Sequence, residues 1–322
     1  MSTPEILMPR PMLPLVAEAL AQAGTLHKLW EMPDPDAFLA QRGSAIRAVA
    51  TGSHLPIDGA FLDLLPNCEI VASFGVGYDH VDTAAAAARG IVVTNTPDVL
   101  TEEVADLTLG LLLMTVRRLG AAERYLRSGS WLEGAFPLTN TLREKRVGIL
   151  GYGRIGKAIA RRLDAFGVEI VYHGRRPQEG VPHAYVANLH EMAKAVDILV
   201  SVAPGGAATR HMIDASVLAA LGPTGTLINV GRGSVVDEAA LVEALEAGRL
   251  GAAGLDVFED EPRVPQALIA RDDVVLLPHV GSATIHTRSL MARLVVDNIL
   301  SWLAGKGPLT PVPETPVTAT RE

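Results

Sequence analysis

The sequence predicts an α/β protein built from two parallel-sheet domains, and three observations lead there. At 322 residues the chain is too long for one ordinary core and about right for two. Short apolar strands alternate with helical patterns along most of its length, as a parallel sheet covered on both faces requires. Midway, the apolar strand Val147–Leu150 runs into the glycine turn Gly151-Tyr152-Gly153-Arg154-Ile155-Gly156, which opens an amphipathic helix.

The elements follow in order. Ile6-Leu7-Met8 reads as a strand and Leu13–Ala23 as a helix. A strand over Ile46–Thr51, a helix over Ile57–Leu65 and the strand Ile70–Phe74 come next. The alanine-rich stretch Thr83–Ala88 leads through Gly90 into the strand Ile91-Val92-Val93. Thr101 then caps a long helix reaching about Arg118, with Glu102 and Glu103 well placed against the helix dipole. That helix is apolar nearly all round, so it is expected to be buried and to join the two domains.

Gly120–Arg143 has little clear period and carries Trp131 and Phe136-Pro137-Leu138. So long an excursion usually has a purpose; a dimer arm is the preferred reading, a mobile surface loop the alternative. After the glycine turn, Ile155, Ile159, Leu163 and Phe166 share one helix face. Strands are then expected at Val168–Tyr172, Ile198–Val202, Leu227–Val230, Ala253–Val257 and Val274–Leu277. A last helix, Thr284–Leu303, carries the chain back to the first domain, and the Pro- and Thr-rich segment Gly307–Glu322 is expected to fray.

Composition narrows the partners. A net charge of −8 and 4% aromatic residues argue against a nucleic-acid partner, which calls for a basic face or stacking platforms. The single cysteine, Cys68, excludes an intramolecular disulfide framework and a cysteine-cluster metal site; no metal is expected, and Cys68 itself reads as a small buried hydrophobe. The longest apolar run, near Leu107–Val116, is too short to cross a bilayer, and no signal peptide is evident, so a cytoplasmic location without a membrane partner is expected.

The glycine turn carries the first chemical inference. Gly151 permits a tight turn, Gly153 lets a pyrophosphate approach the backbone, and Gly156 lets helix and strand pack closely, with the helix N-terminus facing the phosphates. A dinucleotide site follows, and with it two Rossmann-like or flavodoxin-like parallel-sheet domains with a cleft between them. The end of the next strand then chooses the cofactor. NAD is held by an acidic residue about 20 positions after the glycines. This chain instead reads Tyr172-His173-Gly174-Arg175-Arg176, two guanidinium groups and no carboxylate. Arginine suits a 2′-phosphate, so NADPH is favoured over NADH.

Ligands of open α/β sheets lie beyond the carboxyl ends of the strands. There the chain places Asn229-Val230-Gly231-Arg232-Gly233, then Asp256 with Glu261 shortly after, then His279 with Gly281-Ser282. Hydride transfer to a ketone needs a cation for the substrate carboxylate and carbonyl, and Arg232 between two glycines is the candidate. It needs a proton donor effective near neutral pH, and His279 is the natural one. A carboxylate beside a histidine favours its protonated form, and Glu261 is placed to do so.

With these motifs the chain resembles the D-isomer-specific 2-hydroxyacid dehydrogenases over nearly its whole length. The resemblance rests on Val147–Leu150 with the glycine turn, NVGRGSVVD (229–237), GLDVFEDEP (254–262) and LPHVGSAT (277–284). It implies catalytic Arg232, Glu261 and His279, with Asp256 helping to place the nicotinamide and Val230, Gly231, Arg232, His279 and Gly281 as further cofactor-binding residues. SFGVGYDHVD (73–82) resembles the family's substrate loop, implying carboxylate binding by the amides of Val76 and Gly77 alongside Arg232 and His279. NTPDVLTEEVAD (95–106) resembles the hinge. A substrate-binding domain of residues 1–100 completed by 284–322, a cofactor domain of residues 101–283 and a homodimer are likewise implied.

Phe136-Pro137-Leu138-Thr139 and Gly174-Arg175-Arg176 are most similar to glyoxylate/hydroxypyruvate reductases, and hydroxyphenylpyruvate reductases share both features. Neither a C-terminal regulatory domain like that of some phosphoglycerate dehydrogenases nor feedback by serine is expected. The expected activity is therefore NADPH-dependent reduction of a small 2-keto acid to the D-2-hydroxy acid. Alternatives are a dinucleotide-sensing protein like the corepressors of this fold, against which the intact Arg, Glu and His argue, and a formate or phosphite relative, which would prefer NAD. Substrate size would be set around Thr51–His54 and Phe74–Tyr78.

Overall fold

The computed structural model describes residues 3–52, 55–315 and 317. The chain divides into two compact units, Met1–Leu100 with Thr284–Glu322, and Thr101–Ala283.

The first unit contains β1 (Glu5–Met8), α1 (Pro14–Ala23), β2 (Thr25–Lys28), α2 (Pro35–Arg42), β3 (Ile46–Gly52), α3 (Gly59–Asp63), β4 (Ile70–Phe74), α4 (Thr83–Ala88) and β5 (Val92–Thr94). Its strands are all parallel, in the order β2-β1-β3-β4-β5, which is the flavodoxin-like winding. Both faces are buried, so the apolar residues alternate between two cores. Ile6, Met8, Ala48, Ala50, Ile70 and Ala72 pack one face, and Leu7, Val49, Val71 and Val93 the other, with Cys68. Burial pushes the Cys68 thiol up to about 12, the inert small hydrophobe expected of it.

The second unit runs α5 (Thr101–Val116), α6 (Leu119–Arg127), β6 (Arg146–Leu150), α7 (Arg154–Asp164), β7 (Glu169–His173), β8 (Ala184–Tyr185), α8 (Leu189–Ala195), β9 (Ile198–Ser201), α9 (Ala215–Leu221), β10 (Thr226–Asn229), α10 (Glu238–Glu246), β11 (Ala252–Leu255), α11 (Gln266–Ile269) and β12 (Val274–Leu276). The parallel order is β12-β11-β10-β9-β6-β7-β8. Winding reverses between β6 and β9, the switch point at which ligands of such sheets bind. α5 packs on β10 and β11, and its first turn is tied to α7 by ion pairs from Arg161 and Arg162 to Glu102. The last helix, α12 (Ile285–Leu303), closes the first unit by packing Ala292, Val295, Val296 and Ile299 on its sheet. Among the described residues no helix is long and apolar enough to cross a membrane.

Two sequence expectations are corrected. Gly120–Arg143 is not irregular throughout, because α6 covers Leu119–Arg127. Its apolar residues escaped a periodic reading because they face outward: Leu119 and Leu126 are exposed, as are Trp131, Leu132 and Leu138 beyond it. Nor does the tail fray from Gly307: it is held as far as Thr315, while residues 316 and 318–322 of the segment expected to fray lie outside the described residues. Pro311 bridges Thr94 in antiparallel sense, the Val312 amide donates to the Val93 carbonyl (2.9 Å), and the Val93 amide donates to Thr315 Oγ1 (2.9 Å). The tail thereby covers the edge of β5 through backbone groups, which a side-chain pattern does not reveal. Val312 is buried in the core that holds Leu7, Val49, Val71 and Val93. Val312→Ala should therefore cost about 1–3 kcal/mol, read as a lower midpoint in thermal or urea unfolding; an unchanged midpoint would mean the tail is not held.

Candidate active site

The turn after β6 is shaped for a dinucleotide. Gly151 adopts φ +96°, and a Cβ there would lie 2.8 Å from the backbone of Val202 and Ala203; one at Gly156 would lie 2.2 Å from the Gly151 carbonyl oxygen. Those two glycines are required by the protein itself. Gly153 is different, for a Cβ there would meet nothing within 4 Å. The room it leaves is outside the protein, where a pyrophosphate would approach. Gly153 caps α7 with no side-chain acceptor, and the first turn of α7 holds no acidic residue. Its uncapped amides and positive dipole end fit that anion. Arg154 is exposed beside them and Ile155 half-buried. The Tyr152 ring turns inward, stacked on Tyr172 with centroids 4.2 Å apart.

β7 ends at His173, and Gly174, Arg175 and Arg176 follow directly. Both arginines are exposed, and among the described residues neither guanidinium has an ion-pair or hydrogen-bond partner. Two unneutralised guanidinium groups at the end of the second strand of this sheet fit a 2′-phosphate.

Beyond β10, Arg232 is braced from both sides by one buried residue. Asn229 Nδ2 donates to the Arg232 carbonyl (2.9 Å), and Asn229 Oδ1 accepts from the Gly231 amide (3.2 Å). Arg232 Nη1 donates to the Gly231 carbonyl (3.0 Å), while Val230 is buried. Gly233 is needed for a close approach, since a Cβ there would lie 1.8 Å from the Phe258 carbonyl carbon. That approach packs the Arg232 loop against the segment carrying Glu261.

Glu261 and His279 meet. His279 Nδ1 donates to Glu261 Oε2 (2.7 Å), and Glu261 Oε1 accepts from the Phe258 amide (3.1 Å). His279 has φ +52°, a conformation uncommon for a residue with a Cβ, and its amide donates to the Asp256 carbonyl (2.9 Å). Asp256, 1% exposed, gives one carboxylate oxygen to the Val280 amide (2.7 Å) and the other to the Gly281 amide (2.8 Å). Burial raises its carboxyl above the usual carboxylate range, and these two amides draw it back. The structure thus shows Asp256 shaping the His279 loop, and it adds Asn229 as a brace that composition and spacing did not single out. With Nδ1 committed to a carboxylate, His279 Nε2 is the ring nitrogen available for proton transfer.

In the first unit, the loop after β4 is held through its carbonyl groups. Asn95 Nδ2 donates to the Val76 carbonyl (2.8 Å), the Thr96 amide to the Gly75 carbonyl (2.9 Å), and Thr310 Oγ1 to the Asn95 carbonyl (2.6 Å). The amides of Val76 and Gly77 have no hydrogen-bond partner among the described residues, and adjacent unpaired amides suit a carboxylate. Phe74 lies under the Arg288 guanidinium, 5.3 Å from the ring centroid. Ser53 and His54, named with Thr51 as candidates for setting substrate size, lie outside the described residues.

The chain matches the model for the NAD-binding domain of the D-isomer specific 2-hydroxyacid dehydrogenases over residues 109–281. It is 47% identical over 307 residues to a glyoxylate/hydroxypyruvate reductase A of Arabidopsis thaliana, covering 95% of this chain and 98% of that protein. A hydroxyphenylpyruvate reductase of Plectranthus scutellarioides matches with the same identity and coverage. Among solved structures, an NADPH-dependent glyoxylate/hydroxypyruvate reductase of Sinorhizobium meliloti, in complex with NADP and malonate, superposes with a TM-score of 0.93 at 51% identity, over 100% of both chains. The chain belongs to the D-isomer-specific 2-hydroxyacid dehydrogenase family.

Proposed function

We propose that this chain is an NADPH-dependent reductase of small 2-keto acids of the glyoxylate and hydroxypyruvate type, giving the D-2-hydroxy acid. The observation that carries the reading is the 2.7 Å contact between His279 Nδ1 and Glu261. It orients an imidazole for proton transfer in a sheet that also carries Arg232 and a dinucleotide turn. NADPH, held by the Gly151–Gly156 turn with Arg175 and Arg176, would supply the hydride for the carbonyl carbon. His279 delivers a proton from Nε2 to the carbonyl oxygen as that oxygen gains charge, and Glu261 stabilises the imidazolium before transfer. Arg232 holds the carboxylate and polarises the carbonyl, and in the first unit the amides of Val76 and Gly77 offer donors suited to a carboxylate. Oxidation of NADPH followed optically with glyoxylate and hydroxypyruvate tests the reading, and no turnover with either would overturn it.

Arg175 and Arg176 carry the cofactor preference, supported by the two NADP-directed features of their position and their unpartnered charge. Changing both to alanine should weaken NADPH at least about tenfold, from the loss of charge-assisted hydrogen bonds, while NADH binding stays unchanged. Equal loss for both cofactors would show that neither arginine reads the 2′-phosphate. A hydroxyphenylpyruvate reductase is the second reading, favoured by the equal similarity to such an enzyme. Relative kcat/KM on hydroxypyruvate and hydroxyphenylpyruvate separates the two.

We also propose a homodimer formed through α6 and the segment after it. Leu126, Trp131, Leu132 and Leu138 expose apolar surface there that a second copy would cover. Sedimentation should give twice the mass of one chain, and a single-chain mass at micromolar concentration would contradict the dimer.

A further inference from the structure

The loop that presents Arg175 and Arg176 is fastened at its start, its middle and its end. At the start, Tyr185 Oη donates to the Gly174 carbonyl (3.1 Å). In the middle, the Gln178 amide donates to Tyr172 Oη (2.8 Å), and Gln178 Nε2 donates to the Tyr152 carbonyl inside the glycine turn (2.6 Å). At the end, His183 bridges two groups: Tyr152 Oη lies 2.5 Å from Nδ1, and Asp164 Oδ1 lies 2.9 Å from Nε2. A carboxylate only accepts, so Nε2 carries the ring proton, and in the neutral ring Nδ1 accepts from the Tyr152 hydroxyl. Asp164 is the last residue of α7, so one chain of bonds joins the C-terminal end of that helix, the glycine turn and the loop.

The fasteners are themselves rigid. Tyr172 is 1% exposed and Tyr152 is 4% exposed, and their rings stack at 24°. Burial, helped by the nearby Asp164 charge, pushes the Tyr152 hydroxyl up to about 12, so it remains a proton donor at any working pH. By contrast Arg175, Arg176, Pro177, Glu179 and Gly180 are all exposed. A loop of exposed, mostly polar residues would ordinarily be mobile, and a guanidinium on a mobile loop must be ordered at the moment a phosphate binds. Here the loop is held by polar groups of Tyr152, Tyr172, Gln178, His183 and Tyr185 that are engaged within the protein.

We propose that Gln178, with Tyr172 and His183, is a specificity-determining positioning residue: it locks the Arg175–Arg176 loop to the glycine turn and so pre-organises the site for a 2′-phosphate. The inference rests on the NADPH reading above and extends it from the two arginines to the network behind them. It also explains why Tyr152, in the middle of the glycine turn, points its ring into the protein. Its carbonyl and hydroxyl are the anchor points for the loop.

The test is calorimetric binding of 2′,5′-ADP and 5′-AMP, which differ only in the 2′-phosphate, to the full chain carrying Gln178→Ala. The expected result is a loss of about five- to tenfold for 2′,5′-ADP with 5′-AMP within twofold of the parent. In an Arg175→Ala/Arg176→Ala background, Gln178→Ala should produce no further loss, because its effect passes through the arginines. A purely structural role would instead lower the thermal midpoint and weaken both ligands alike, and that result would overturn the proposal. So would an undiminished loss in the arginine-free background. Tyr172→Phe, which removes only the acceptor for the Gln178 amide, should show the same selective pattern if Gln178→Ala fails to fold. A parent chain that binds 2′,5′-ADP no more tightly than 5′-AMP would overturn the NADPH reading itself, whereas a selective parent with an insensitive Gln178→Ala variant would overturn only the positioning role.

Discussion

His279→Ala is expected to lower kcat for 2-keto acid reduction by about 10²–10⁴, the usual contribution of a positioned general acid. Nδ1 is committed to Glu261 at 2.7 Å, and Glu261 is in turn held by the Phe258 amide, so the ring has one orientation and one nitrogen left for substrate. The loop beneath is equally constrained, because Asp256 takes the Val280 and Gly281 amides and the His279 backbone sits at positive φ. Removing the imidazole leaves these backbone bonds in place, so the thermal midpoint should hardly move. NADPH affinity should fall far less than kcat. A variant that kept full activity, measured by NADPH oxidation at saturating substrate, would remove His279 from the proton-transfer role.

Arg232→Ala should reduce kcat/KM by about 10³-fold, through both terms: a weaker hold on the carboxylate raises KM, and an unpolarised carbonyl lowers kcat. Arg232→Lys should recover only a small part, since an ammonium group cannot pair with a carboxylate in bidentate fashion. The backbone on either side of Arg232 is fixed by Asn229, and Gly233 packs directly against Phe258, so truncating the side chain leaves its support intact. A loss confined to KM would assign Arg232 to carboxylate binding alone. An unchanged kcat/KM would contradict its role.

Much of this architecture was legible in the sequence because strand burial and turn chemistry leave strong marks. Strands buried on both faces read as apolar runs, and the Gly151–Gly156 turn lies between one such strand and an amphipathic helix. What escaped notice did so for physical reasons. β2 (Thr25–Lys28) is a half-buried edge strand and β8 spans two residues, so neither offers an apolar run. The tail from Leu309 is held by backbone pairing and by Asn298 Oδ1, which accepts from the Leu309 and Thr310 amides. Within the site, Arg232, Glu261 and His279 stand out because charged groups are unusual at the ends of buried strands. Asn229, Gln178 and His183 do not, because a brace is recognisable only from what it touches.

The proposed reduction of a 2-keto acid by NADPH to the D-hydroxy acid has a stereochemical signature. Chiral analysis of the glycerate formed from hydroxypyruvate and NADPH tests it most directly. D-glycerate is expected as the sole enantiomer, formed faster with NADPH than with NADH. L-glycerate, a racemic product, or equal rates with the two cofactors would contradict it.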